Sequence, residues 1–179
     1  MAKLVIGLDM SLTGTGICMI DQARKKYGKK EIGFTTIKSQ KHADVNVCSR
    51  MLQIMEDTFF HFPEKVDLVA IESTFLMAKR PASAVISVLG MLMREELVRR
   101  KIKYVDVAPS QLKKFITGSG KAEKDQIMMC VLESWGLKTK DNNQADAIVL
   151  AKIAMAMKDS KMQLTGAQAD VIGKLKGKR

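Results

Sequence analysis

Three carboxylates in this chain stand where apolar runs emerge from a core. Asp9 closes VIGLD, Glu72 closes LVAIE, and Asp146 lies in NQADAIVLA, where a helical pattern opens. A charge at the mouth of an apolar element is costly unless a partner or a cation neutralises it. A chain that buries these runs side by side gathers the acids over one end of its core, and oxygen donors grouped in that way can hold divalent cations. Cys18, Cys48 and Cys130 are odd in number and widely separated, so they make neither a disulfide framework nor a CxxC site and read as reduced core thiols. His42 and His61 have no ligand spacing, which disfavours zinc and leaves magnesium or manganese as the metal such a site would take.

The runs order themselves into elements. LVIGLD, TGICMID and EIGFTTIK, separated by the turn SLTG and the basic turn RKKYGKK, predict three strands of an antiparallel meander. Val47, Met51, Ile54, Met55 and Phe59 recur at helical spacing and predict a helix within 43–62. An apolar strand follows over 67–73. Next come a helix over 83–100, with Val85, Val88, Leu89, Leu92 and Leu97 on its apolar side, and the strand IKYVDVA; the crossover rule makes those two strands parallel. Pro109 can open a short helix. A third clear helix runs over 122–135, with Ile127, Met128, Val131 and Leu132 inward and Gly136 as its stop. The last helix covers 145–157, where Ala147, Ala151 and Ala154 permit close approach to a sheet. Periodicity fades after Lys158, so one α/β domain over 1–158 and a mobile basic tail over 159–179 are expected.

The chain has 179 residues, 46% of them hydrophobic, enough for one domain with a sizeable core. No apolar run approaches the ~20 residues that span a bilayer, and the opening MAKLVIGLD is too quickly acidic for a signal peptide, so a cytoplasmic protein without a membrane partner is expected. Thirty Lys and Arg against nineteen Asp and Glu leave a formal charge of +11, which points to a polyanion held by phosphate contacts, nucleic acid first.

GLDMSLTGTG, AIESTFLMAK, VAPSQLKKFITGSGKAEKDQ and NQADAIVLA together resemble the RuvC family of Holliday-junction resolvases, within the ribonuclease H-like superfamily. The resemblance implies a mixed five-stranded sheet, three antiparallel strands and then two parallel, flanked by helices. It implies a catalytic acid ending strand one, a Glu ending strand four and two acids three residues apart on the final helix. Asp9, Glu72 and Asp146 match three of these, and the fourth falls on Asn143. An amide coordinates through its oxygen but adds no charge, so metal affinity and rate should fall rather than vanish. Asp141 is a further candidate ligand from the helix start, although it does not share a helical face with Asp146. The family's mechanism implies two magnesium or manganese ions about 4 Å apart, one generating the hydroxide and one stabilising the leaving 3′ oxygen.

The same resemblance places Lys124 near the scissile phosphate and assigns Phe75 to stacking on bases near the junction centre, a contact worth roughly 1–3 kcal/mol per base. Lys79 and Arg80 beside it, and Lys121 in the loop GSGK, are candidate phosphate contacts. Basic clusters at Arg24, Lys25, Lys26, Lys29 and Lys30 and at Lys113 and Lys114 could track duplex arms. The implied substrate is branched DNA, especially four-way junctions, and two equivalent strands to cut favour a homodimer, with Leu89, Met91, Leu92 and Met93 as its candidate apolar surface. Two other readings remain at this point. One is a branched-DNA binder with impaired cleavage, motivated by Asn143. The other is one lobe of an actin-like or sugar-kinase ATPase, whose phosphate loop GLDMSLTGTG also resembles, though 179 residues supply a single lobe.

Overall fold

The computed structural model describes residues 3–26, 29–39, 46–73 and 81–177. β1 (Leu4–Asp9), β2 (Thr15–Lys26) and β3 (Lys29–Ile37) form the antiparallel meander, with Asp9 paired to Gly16 across the first hairpin. β4 (Leu68–Glu72) lies parallel to β1, and β5 (Tyr104–Val107) parallel to β4, giving the order β3-β2-β1-β4-β5. This is the mixed five-stranded sheet expected from the sequence. β1 and β4 are nearly continuous apolar runs up to their terminal acids because helices cover both of their faces.

Successive strand residues point to opposite faces and feed two separate cores. Ile6, Leu8, Val69 and Ile71 face α1 (Val47–Phe60) and α2 (Pro81–Arg99), where Met51, Ile54, Leu89, Met93 and Leu97 meet them. Val5, Cys18, Leu68 and Ala70 face the other layer, built from α3 (Pro109–Thr117), α4 (Lys124–Trp135), α5 (Asn142–Lys158) and α6 (Gly166–Lys176). α5 is the spine of that layer. It is apolar nearly all round and buried from Gln144 to Ala156 apart from Asp146 and Lys152, as a helix must be when it lies between a sheet and other helices. The strands beneath it need glycine: a Cβ built on Gly7 of β1 would stand 2.1 Å from the carbonyl oxygen of Ala147, and one on Gly16 of β2 would stand 2.0 Å from that of Asn143. The first turns of α5 therefore rest directly on β1 and β2, beside Asp9. Gly136 ends α4 in the left-handed region, φ 67°, as expected of that stop.

Three expectations are corrected. Residues 166–176 are not a tail but a capped helix, with the Thr165 side chain accepting from the Gln168 amide and Val171, Ile172 and Leu175 buried in the same core as Leu112 and Phe115. Few apolar residues set among glycines, alanines and lysines made that face hard to see. Cys48 is exposed, unlike buried Cys18, because it lies on the outward side of the first turn of α1. On α2, Leu89 and Met93 are fully buried within the chain, while Met91 is 56% exposed and Val98 63%, so the outward apolar face of this helix is narrower than its composition suggests. Among the described residues no helix is long and apolar enough to cross a membrane.

Candidate active site

Asp9 and Glu72 end neighbouring parallel strands, and α5, seated on Gly7 and Gly16, brings Asp146 to the same end of the sheet. Asp9 is only 6% exposed and shares a side-chain hydrogen bond with Glu72. Burial first, and then the charges of Glu72 and Asp146, hold the Asp9 carboxyl well above the usual carboxylate range. Burial raises Glu72 as well, against the opposing pull of its Asp9 hydrogen bond and of Lys124 and Lys113. Burial thus disfavours ionising both members of this hydrogen-bonded pair. Asp146 is pushed up to about 7, by burial above all and then by Glu72, with Lys124 and Lys113 opposing. Burial raises all three acids, and the charge of Glu72 adds to this at Asp9 and Asp146, so the site favours bound positive charge.

The donor set suits a hard divalent cation. All the donors are oxygens, and Oδ1 of Asp146 is buried without a hydrogen-bond partner among the described residues. The acids are not drawn into a closed cage: among the described residues no three acidic, histidine or cysteine groups stand together as a ready metal cluster. Asp9 and Glu72 are joined by their hydrogen bond, and Asp146 interacts with both through space.

Asn143 lies one turn before Asp146 on α5, and its amide nitrogen is 3.0 Å from the position a Cβ on Gly14 would take, over the first hairpin. Asp141 is engaged at the start of α5. It caps α5, accepting from the Gln144 amide at 2.8 Å, and its other oxygen accepts from the Thr36 hydroxyl at 2.8 Å. A carboxylate committed to two such bonds holds the helix start. Lys124, the first residue of α4, acts electrostatically on all three acids. Lys121 lines a separate cleft with Ser119, Gln126 and Glu133. Phe75, Lys79 and Arg80 lie outside the described residues.

Lys113 has a neighbourhood that the sequence did not reveal. From α3 it acts electrostatically on Glu72 and Asp146, while Lys114 pairs with Asp170 at 2.7 Å. The signal was present in the helix period: buried Leu112 and Phe115 flank the two lysines and send them to different sides of α3.

A sheet of order β3-β2-β1-β4-β5, with acids at the ends of β1 and β4 and on the helix across them, defines a ribonuclease H-like protein. Within that class the family model for crossover junction endodeoxyribonuclease RuvC matches residues 5–155, and the chain belongs to the RuvC family. Similar relatives named crossover junction endodeoxyribonuclease RuvC include that of Prochlorococcus marinus strain MIT 9211, 27% identical over 84% of this chain and 94% of the relative. That of Mycolicibacterium smegmatis is 28% identical over 82% of this chain and 80% of the relative. Among solved structures, T. thermophilus RuvC in complex with a Holliday junction substrate superposes with a TM-score of 0.65 at 20% identity, covering 83% of this chain and 90% of that one.

Proposed function

We propose that this chain is a structure-selective, metal-dependent DNA endonuclease that cuts Holliday junctions and related branched DNA by phosphodiester hydrolysis. The observation that carries the proposal is the electrostatic coupling of Asp9, Glu72 and Asp146 at one end of a RuvC-family sheet, with Lys124 and Lys113 acting on them. Magnesium or manganese, two ions per site, held by these acids and by the amide oxygen of Asn143, would supply an activated water and stabilise the leaving 3′ oxygen. Lys124 and Lys113 then offset the charge of the scissile phosphate where the acids would otherwise repel it. Phe75, Lys79, Arg80 and Lys121 are proposed contacts to the strands around the branch point. The chain works as a homodimer in the cytoplasm, its subunits meeting through the exposed part of α2.

The test is cleavage of a synthetic four-way junction with a fixed branch point, in magnesium and in manganese, beside linear duplex and a fork of the same sequence. Cutting of the junction in preference to duplex is expected. Equal cutting of linear duplex would contradict structure selectivity, and magnesium-dependent ATP hydrolysis without DNA binding would return the ATPase reading. Asn143 favours a second reading, a junction binder that cuts poorly. Replacing Asn143→Asp separates the two: a large gain in rate supports limited cleavage in the natural chain, and an unchanged rate removes the amide as the cause.

A further inference from the structure

Arg94 reaches from the middle of α2 to the strand end that bears Glu72. It is 6% exposed, and its guanidinium uses both edges. Nε and Nη2 donate to one carboxylate oxygen of Asp106 on β5, Nη1 donates to the carbonyl oxygen of Gly90 at 2.7 Å, and Nη2 also donates to the carbonyl oxygen of Glu72 at 3.2 Å. One residue further on, the Ser73 amide donates to the Val107 carbonyl at 2.8 Å. The peptide group following Glu72 is thereby held on its carbonyl side by α2 and on its amide side by β5.

Folding alone does not call for this arrangement. α2 is already fixed to the sheet by Leu89, Met93 and Leu97, all fully buried. The ionic partner of Arg94, Asp106, is open to water, the side chain 43% exposed, and an ion pair with one end so accessible adds little to stability. What a guanidinium adds is a rigid fork that reaches two acceptors at once, here Asp106 and the main chain of an acid facing two other acids. We infer that Arg94 is a positioning residue: by gripping the Glu72 carbonyl against Asp106 it holds the end of β4 in register and aims the Glu72 carboxylate at the cation site. This rests on the proposed reading of Glu72 as a cation ligand.

The test is a manganese titration of the purified protein without DNA, followed by thermal denaturation, with the junction cleavage rate measured at each concentration. The natural chain is compared with Arg94→Met, Arg94→Lys and the paired change Arg94→Met with Asp106→Leu, which leaves no unpaired charge. Outer partners of metal ligands typically matter by 10–100-fold in metal affinity, so Arg94→Met should raise the half-saturating manganese concentration about tenfold. Arg94→Lys, which keeps the charge but not the fork, should raise it several-fold, and excess manganese should restore most of the cleavage rate. If Arg94→Met does not fold, the lysine variant and the paired change carry the same comparison. Lower melting temperatures with an unchanged manganese midpoint would overturn the inference and leave Arg94 as a structural tie. No manganese-induced shift in the natural chain would overturn the cation reading of the site, and the inference with it.

Discussion

Asp146 shows how much one side chain can report. Its pKa stands near 7 in the folded chain against an ordinary 3.8, chiefly because it is buried and next because Glu72 is close. The folded state therefore keeps its proton where the unfolded state has lost it, and by linkage this contribution to stability is complete below pH ~4 and is lost as pH rises through about 7. Asp9 acts in the same direction. In buffer containing a chelator, the melting temperature should fall between pH 5 and pH 8, and Asp146→Asn should flatten that fall. A melting temperature that rises over this interval, or an unchanged slope in the variant, would contradict the electrostatic picture. The same acids should matter to chemistry more than to DNA affinity: Asp9→Asn is expected to lower junction cleavage on the order of a hundredfold or more while binding in chelator stays within a few-fold. Loss of binding under those conditions would show that Asp9 supports the DNA surface instead.

At the scale of elements, α5 is where packing becomes function. Gly16 has no room for a Cβ beneath the Asn143 carbonyl, so Gly16→Ala must lift the start of α5 or distort β2. Overpacking of this kind costs about 1–3 kcal/mol, and because Asp146 rides on the displaced turn, cleavage should fall further than the loss of folded protein explains. Parallel measurement of unfolding and rate checks this. α6 offers a second case, since Leu175 is buried against the core beside α3, which carries Lys113. Leu175→Ala should destabilise the chain by about 2–5 kcal/mol, whereas a mobile tail would tolerate it. These two helices also mark what the sequence could reveal. The strands, α1, α2 and α5 were legible because long apolar periods and turn residues agreed with one another, and Asp9 and Glu72 were legible because each closes an apolar strand. α6 was not, because its three buried residues sit among small and basic neighbours that look like a solvated end. Arg94 and Lys113 were not, because a cation's role depends on which acids face it across the sheet, and only tertiary packing decides that. The cap formed by Asp141 with Gln144 and Thr36 was hidden for the same reason, since Thr36 comes from a distant strand.

For the whole molecule, charge and symmetry are the relevant quantities. A formal charge of +11 accompanies three electrostatically coupled acids, so the basic chain as a whole favours a polyanion while the acids repel phosphate unless Lys113, Lys124 and bound cations compensate. Met91 and Val98 leave an exposed apolar strip on α2, the same helix that grips the Glu72 strand through Arg94. If that strip joins two copies, Met91→Asp should give a protein that sediments as a monomer, still binds junctions and no longer cuts both strands together. A variant that remains dimeric would move the interface elsewhere. The most direct measurement of the central claim maps both cleavage sites on an end-labelled four-way junction with a fixed branch point and asks whether ligase reseals the products. The account predicts paired nicks in two opposing strands, symmetric about the branch point, with 5′ phosphates that ligase can seal. Scattered single nicks, ends that ligase cannot join, or junctions bound but left intact in magnesium and manganese would contradict it.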